Sequence, residues 1–256
     1  MLDNTSIKDY NDYSLKNLEI LSDLSSVSMD SLFHHICKYS DKDINYYWLG
    51  RRDYHRTWDL QNQLQQGVKD DNLNNIVLFL EHDPIYTIGK NADNTNLLPT
   101  KPLNMEVVKT DRGGDITCHA PGQLVGYPII DLKKYKKSIT WFMRCLEQSI
   151  IDMLKEFRIN SETKDGLTGV WVDDNKIAAL GVRLSRWVSM HGFAINVYTD
   201  LRLFRGIIPC GITDYGLTSM LKLKDKKYNL LEIAELMAIS LSRTFINSDR
   251  IENVKA

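Results

Sequence analysis

The stretch Thr168–Tyr198 reads TGVWVDDNKIAALGVRLSRWVSMHGFAINVY, and its internal order decides what kind of sheet the chain builds. Thr168–Val172 is apolar and carries valine and tryptophan, residues that suit a pleated, buried surface. Asp173-Asp174-Asn175 supplies turn residues, so the chain reverses there in a hairpin. Lys176–Val188 returns as a long strand in which Gly181 marks a bulge or a point of close approach. Met190–Tyr198 pairs next. Strands joined by tight reversals are antiparallel neighbours, so a purely parallel βαβ sheet is excluded.

Working outward, Asn75–Glu81 (NIVLFLE) is the continuous apolar run of a strand buried on both faces. His82-Asp83-Pro84 turns it into a second strand, Ile85–Ile88, which Gly89 ends. Ile44–Leu49 is an earlier strand, and Tyr54–Leu64 is a helix that Gly67 stops. Met105–Lys109 leads into a glycine-rich loop, and Gln123–Leu132 leaves it as a strand. Ser138–Phe157 is the clearest helix, with Ile139, Phe142, Met143, Leu146, Ile150, Met153 and Leu154 at helical spacing. Asn229–Phe245 is a terminal helix opened by Asn229 with Glu232 three residues on, a variant of the capping box. The fold class is therefore mixed α/β: one domain over residues 44–256, with a mixed sheet flanked by helices.

Residues 1–43 differ. They hold eight Asp and Glu against four Lys, a net of −4 that leaves +3 for the remainder of a chain whose total is −1. Leu15, Leu18, Ile20, Leu21 and Leu24, then Leu32, Phe33 and Ile36, allow one or two amphipathic helices, with Ser28 or Asp30 capping the second. This segment reads as a helical extension packed on the main domain or on a partner. Its His34-His35-x-Cys37 cluster has no second pair of ligands nearby in sequence and reads as surface or packing residues, not a metal site.

Near-neutral charge gives no electrostatic case for nucleic acid or a membrane surface, and no apolar run approaches the ~18–20 residues that span a bilayer. Cys37, Cys118, Cys145 and Cys210 lack paired spacing and read as separate thiols in a reducing compartment. With no signal or transit character at the start, the expected location is the cytoplasm.

The chemistry concentrates in Asp111–Leu132, DRGGDITCHAPGQLVGYPIIDL. Gly113 and Gly114 allow close backbone approach, and their N–H groups with the Arg112 guanidinium can hold a carbonyl, carboxylate or phosphate. His119 reads as a loop-bracing or substrate-binding group. In Pro209-Cys210-Gly211 the proline fixes the backbone before a thiol and the glycine leaves room for a substrate, the setting of a nucleophile. Cys145, inside the long helix, reads as packing. A thiol of pKa ~8.5 needs a base or cation beside it to work at neutral pH; Lys176, His119 and His191 are the candidates. A P-loop is absent, since Gly89-Lys90-Asn91 lacks the upstream glycine and the hydroxyl residue. Also absent are GxGxxG after a strand, HExxH and paired-cysteine zinc spacing. No cofactor and no metal are expected, and acyl transfer through Cys210 is the chemistry most consistent with the residues present, with a buried structural cysteine as the alternative.

With those residues in view, the chain resembles the lipoyl(octanoyl) transferases. RGGDITCHAPGQLVGYP resembles their main motif. So, in order, do WLG and DY within Trp48–Tyr54, LEHDPIYTIGK at Leu80–Lys90, GVWVDDNKIAALGVR at Gly169–Arg183, SMHGFAINV at Ser189–Val197 and IIPCGI at Ile207–Ile212. The resemblance spans about residues 46–220. It implies the biotin and lipoate protein ligase fold, and an octanoyl group taken from octanoyl-acyl carrier protein. That group passes through an acyl-thioester on Cys210 to a lysine of lipoyl domains of 2-oxoacid dehydrogenase complexes or of the glycine cleavage H protein. Lys176 matches the lysine that lowers the cysteine's pKa and shuttles protons. Arg112, Gly113, Gly114, Asp115, Ile116, Thr117, Cys118 and His119, with Ala179, Leu180, Gly181 and with Gly192, Phe193, Ala194, match substrate-binding segments. Backbone N–H groups near Cys210 or in the glycine loop are expected to hold the oxyanion. A monomer is expected.

The chain departs from the family at Cys118-His119-Ala120-Pro121-Gly122, where Tyr-His-Gly-Pro-Gly is common, which puts the shape of the acyl pocket in question. An ATP-dependent lipoate or biotin ligase shares the implied fold but needs no nucleophilic cysteine; a non-catalytic acyl-binding protein would need neither Lys176 nor Cys210. An acidic carrier protein calls for a basic rim, and Lys133, Lys134, Lys136 and Lys137 or Lys222, Lys224, Lys226 and Lys227 can supply it.

Overall fold

A computed structural model of the chain describes residues 18–21, 28–208 and 215–246. Its elements in chain order are β1 (Leu18–Ile20), α1 (Met29–Tyr39), β2 (Ile44–Arg52), α2 (Tyr54–Lys69), β3 (Asn75–His82), β4 (Ile85–Ile88), β5 (Glu106–Lys109), β6 (Ile116–His119) and β7 (Gln123–Ile129). There follow α3 (Ile139–Glu156), β8 (Glu162–Lys164), β9 (Leu167–Val172), β10 (Asn175–Ser185), β11 (Val188–Asn196), β12 (Gly216–Leu217), α4 (Met220–Lys224) and α5 (Leu230–Ile246). The large sheet runs β1-β2-β3-β7-β11-β10-β9-β8, with β12 added to β10. Its β1, β2 and β3 are parallel, and every pairing from β3–β7 across to β8 is antiparallel. A small sheet, β5-β4-β6, stands apart from it.

Alternation along the central strands explains why they read as unbroken apolar runs. Tyr46, Trp48, Val77 and Phe79 face a core shared with Phe142, Leu146 and Ile150 of α3 and Met237 and Leu241 of α5. Tyr47, Leu49, Ile76, Leu78 and Leu80 face a second core with Leu60 and Leu64 of α2 and Leu32 and Ile36 of α1. A strand covered by helices on both faces has no polar side to show. The small sheet has its own core of Tyr86, Met105, Ile116 and Cys118 against Phe204 and Ile207.

Several elements differ from the sequence expectation. Gly67 does not stop α2; the helix runs through it, and a Cβ there would lie 2.5 Å from Leu73 Cδ1, so glycine serves close packing. The strand expected over Lys176–Val188 is two strands. It reverses at Arg186 and Trp187, whose φ of +50° and +67° form a hairpin turn from residues that seldom adopt that conformation. Its bulge lies between Lys176 and Ala178, and Gly181 is instead the point of close approach, where a Cβ would lie 2.7 Å from Gly113 O. Within the acidic extension, Leu18–Ile20 is a strand against Trp48 and its neighbours instead of a helix, because backbone pairing with β2 is available to it. The helix expected next is α1, capped by Ser28, whose hydroxyl accepts Ser31 N–H at 3.2 Å. His35 of that helix pairs with Glu19 Oε1 at 2.5 Å.

Candidate active site

A cavity of about 350 Å³ opens where the large sheet meets the small one. Its floor is a cross-strand platform: Ala179, Leu180 and Gly181 of β10 lie directly opposite Ala194, Phe193 and Gly192 of β11. Two segments far apart in sequence are thus one surface. Arg112, Gly114, Asp115, Ile116, Thr117 and His119 form the facing wall, and Lys176 closes one end. Cys118 does not reach the cavity. It points into the small core with Ala120, and burial pushes its thiol up to about 12. The two departures from the family motif therefore line that core and not the cavity. Gly113 lines a neighbouring cavity of about 410 Å³, which shares Gly114, Leu180 and Gly181 with the first.

The glycine-rich loop is clamped onto β10. Gly113 N–H donates to Val182 O at 2.9 Å. A Cβ on Gly181 would stand 2.7 Å from Gly113 O, so only glycine lets the two backbones approach this closely. Arg112 is 7% exposed and spends its guanidinium inward: Nε and Nη2 donate to Thr87 Oγ1 at 3.1 and 2.9 Å, Nη2 to Thr87 O at 2.6 Å, and Nη1 to Gly113 O at 3.0 Å. The donors read from sequence as ligand-holding groups, Arg112 and Gly113 N–H, are engaged in bracing the loop. Asp115 Oδ2 accepts Asn96 Nδ2 at 2.5 Å, while Asn96 O accepts Ile208 N–H at 2.8 Å. Asn96 thus ties the loop to Ile208, two residues before Cys210. Cys210 itself lies outside the described residues.

Behind the wall runs a buried polar chain. His82 Nδ1–H donates to Arg52 O at 2.7 Å, leaving Nε2 to accept Tyr127 Oη–H at 2.8 Å. His119 Nδ1–H donates to Gln123 Oε1 at 2.9 Å. Gln123 Nε2 passes to Asn196 Oδ1 at 3.0 Å, Asn196 Nδ2 to Thr218 O at 3.1 Å, and Thr218 N–H to Lys176 O at 3.0 Å. Burial pushes His82 down to about 4 and His119 to about 3, so both imidazoles are neutral, and each tautomer follows from its acceptor.

His191 sits beside the platform with φ +58°, a conformation that costs a non-glycine residue about 1 kcal/mol or more. Two partners hold it. Its N–H donates to Gln61 Oε1 at 3.0 Å, and Nε2–H to Asp111 Oδ1 at 2.7 Å. Burial pushes the imidazole down, against the pull of Asp111. Asp111 is also lifted by burial, but the His191 hydrogen bond and the charges of His191, Arg183 and Lys90 outweigh that and hold it below the usual carboxylate range. The pair is a neutral histidine on an ionised aspartate.

Lys176 is 5% exposed, directly opposite Trp171 in the β9–β10 pairing, and its Nζ lies 4.7 Å from the indole centroid. Tyr54, Tyr127, Thr168 and His191 also line the cavity; the sequence offers His191 only as a candidate base and leaves the other three out of the site. Tyr54 and Tyr127 sit in blocks that read as ordinary core, and only tertiary placement turns them inward. Among the described residues no group of three or more His, Cys, Asp or Glu is arranged for a metal, and no helix is long and apolar enough to cross a membrane.

The described core has the fold of lipoate-protein ligases. It superposes on a crystal structure of lipoate-protein ligase A bound with ATP at a TM-score of 0.59 with 13% identity, covering 76% of this chain and 82% of that one. The sequence profile of the lipoyl protein ligase A/B catalytic domain matches residues 53–242. An octanoyltransferase of Gloeobacter violaceus is 46% identical over 161 residues, 62% of this chain and 72% of the relative. One of Flavobacterium psychrophilum is 43% identical over 226 residues, 80% of this chain and 97% of the relative. The chain belongs to the lipoyl protein ligase A/B catalytic family, among its octanoyltransferases.

Proposed function

We propose that the protein transfers an octanoyl group from octanoyl-acyl carrier protein to a lysine of a lipoyl domain, through a thioester on Cys210 with Lys176 as its proton partner. The observation that carries this reading is convergence. Residues 179–181, 192–194 and most of 112–119 line one cavity with Lys176 at its end, and Asn96 ties that wall to the segment leading into Cys210. In the first half-reaction the Cys210 thiolate attacks the donor's thioester carbonyl, and the carrier's pantetheine thiolate leaves with the proton of Lys176. In the second, the acceptor amine attacks the Cys210 thioester, a proton passes from the amine to Lys176, and the cysteine departs as thiolate. The platform supplies the apolar seat; seven aliphatic carbons at ~0.8 kcal/mol each contribute roughly 6 kcal/mol on burial. The free thiols of Cys37, Cys118 and Cys145 suit a cytoplasmic location. We read the active species as a monomer, which light scattering tests.

Intact mass spectrometry tests the function. Incubation with octanoyl-acyl carrier protein without ATP adds an octanoyl group to the wild type and not to Cys210→Ala, and addition of a lipoyl domain discharges it. Absence of both adduct and ATP-free transfer overturns the reading; transfer from free octanoate with ATP establishes the ligase instead.

A further inference from the structure

One buried ionisable group near Lys176 has no part in the chemistry above. Glu147 lies on the inward face of α3 and is 2% exposed. Its Oε1 accepts Gly169 N–H at 3.0 Å, and its Oε2 accepts Arg144 Nη1 at 2.9 Å. Gly169, with φ +137°, is the point at which β9 passes Lys176: a Cβ there would lie 3.0 Å from Lys176 Cε and 2.9 Å from Ala178 O. One residue of strand backbone therefore separates the carboxylate from the lysine stem. Burial raises the Glu147 carboxyl, opposed by the Gly169 hydrogen bond, by Arg144 and by the field of Lys176.

The charges around Lys176 can be named element by element. Glu147 comes from α3, with Arg144 beside it. Lys164 of β8 lies 5.9 Å from the Trp171 centroid and is ion-paired to Asp174 at 2.9 Å. His119 across the cavity is neutral, and Tyr215 packs edge-on to Trp171 at 5.1 Å. Among the described residues of this group, Glu147 is the buried carboxylate.

We propose that Glu147 is a positioning residue for Lys176: its carboxylate, fixed beneath β9 by Gly169 N–H, stabilises the ammonium form of the lysine and so favours the half-reaction in which Lys176 takes up the acceptor's proton. The inference rests on the Cys210–Lys176 reading. In that half-reaction the amine nitrogen bonds to the thioester carbon, the C–S bond breaks, Cys210 leaves as thiolate, and the proton goes to Lys176 Nζ. A positive charge appears at Lys176, and a preplaced anion lowers its energy without reorganisation. The same anion works against the first half-reaction, where Lys176 gives a proton up.

The test uses two variants of opposite sign, Glu147→Gln and Arg144→Gln, with Lys176→Met as the control. Glu147→Gln keeps the Gly169 hydrogen bond and the side-chain volume while removing the charge; Arg144→Gln leaves Glu147 with its neighbouring cation gone. Single-turnover discharge of octanoyl-enzyme onto a lipoyl domain is expected to slow about threefold to tenfold in Glu147→Gln and to hold or rise in Arg144→Gln, following the change in driving force for proton uptake. Acylation moves the other way, and because the Lys176 ammonium is what stabilises the Cys210 thiolate, the pH midpoint of Cys210 alkylation by iodoacetamide rises in Glu147→Gln and falls in Arg144→Gln. If both variants slow both half-reactions together, or change only the melting temperature, Glu147 is merely a structural member of an ion pair and the inference fails. If Lys176→Met leaves the alkylation midpoint at the wild-type value, the cysteine–lysine reading itself fails, whatever the other two variants do.

Discussion

Gly181→Ala is the substitution whose consequences the geometry constrains most tightly. An alanine methyl at 181 would sit 2.7 Å from Gly113 O, with Arg112 Nη1 at 3.4 Å and Arg112 Cδ at 3.5 Å close by. The obstruction is backbone, and it is tied down: Gly113 N–H is bonded to Val182 O at 2.9 Å and Gly113 O to Arg112 Nη1 at 3.0 Å. Relief requires the glycine loop to lift off β10 and stretch both bonds. Overpacking of this kind costs roughly 1–3 kcal/mol, and weakened hydrogen bonds add about 1 kcal/mol, for roughly 2–4 kcal/mol in all. At about 2–4 °C per kcal/mol for a domain of this size, the melting temperature falls by roughly 4–16 °C. Because the loop is also the cavity wall, kcat/KM for ATP-free octanoyl transfer, assayed well below the melting point, falls about tenfold or more. Two neighbours calibrate the result. Gly113→Ala places its methyl 3.2 Å from Val182 O, and its effect is smaller; Gly166→Ala, at φ +73° with nothing within 4 Å, carries only about 1–2 kcal/mol of backbone strain. A Gly181→Ala protein that melts within about 2 °C of wild type and turns over normally refutes the close-approach account.

Other outcomes follow from the same contacts. His82 and His119 are neutral in the fold because burial pushes them down to about 4 and about 3, while the unfolded chain protonates them below ~6.5. Their contribution is fully present above pH ~6.5 and is lost as the pH falls, at up to about 1.4 kcal/mol per pH unit for each; melting curves between pH 7.5 and 5 should slope accordingly, and a flat profile refutes it. Asn96→Ala removes the bond to Asp115 while leaving the backbone anchor to Ile208 in place, so stability drops by only about 1 kcal/mol; iodoacetamide trapping of Cys210 should nonetheless change in rate, and an unchanged rate removes Asn96 from the site's framework. Lys222 and Lys224 lie on α4, which begins two residues after Thr218, the residue bonded to Lys176 O. Reversing both to Glu is expected to raise KM for octanoyl-acyl carrier protein several-fold at low salt, with the difference fading as salt screens it; no change at low salt excludes that rim.

Much of this was legible in the residues. The apolar runs of β2 and β3 and the spacing of α3 are strong because a buried element leaves no room for another pattern. The glycines and arginine of the 112–119 loop stand out because ordinary strands do not need them. Where the sequence misled, the deciding force was tertiary. Arg186 and Trp187 carry no turn signature, yet they reverse the chain because β10 and β11 must pair. Glu147 was hidden in a helix read for its apolar face, although its place four residues after Met143 and three before Ile150 puts a carboxylate on that face. His191 and Tyr54 have roles only because α2 packs under the platform and brings Gln61 and Tyr54 against it. In sequence Arg112 reads as a ligand-holding cation, but Thr87, twenty-five residues earlier, claims it.

The three-residue strand β1 does more than extend a sheet. Without it β2 would be the edge: nine residues, INYYWLGRR, most of them buried, whose outer N–H and C=O groups would stand open. Long apolar edges are templates on which a second chain can add a strand and begin to aggregate. Leu18–Ile20 occupies that template opposite Tyr46–Trp48, Leu21 N–H extends the cover to Trp48 O at 2.7 Å, and Arg52 Nη2 fastens Leu21 O at 3.2 Å. Leu18–Leu21 thereby covers an edge open to self-association, and a chain trimmed of these residues is expected to keep its cavity and to self-associate more readily.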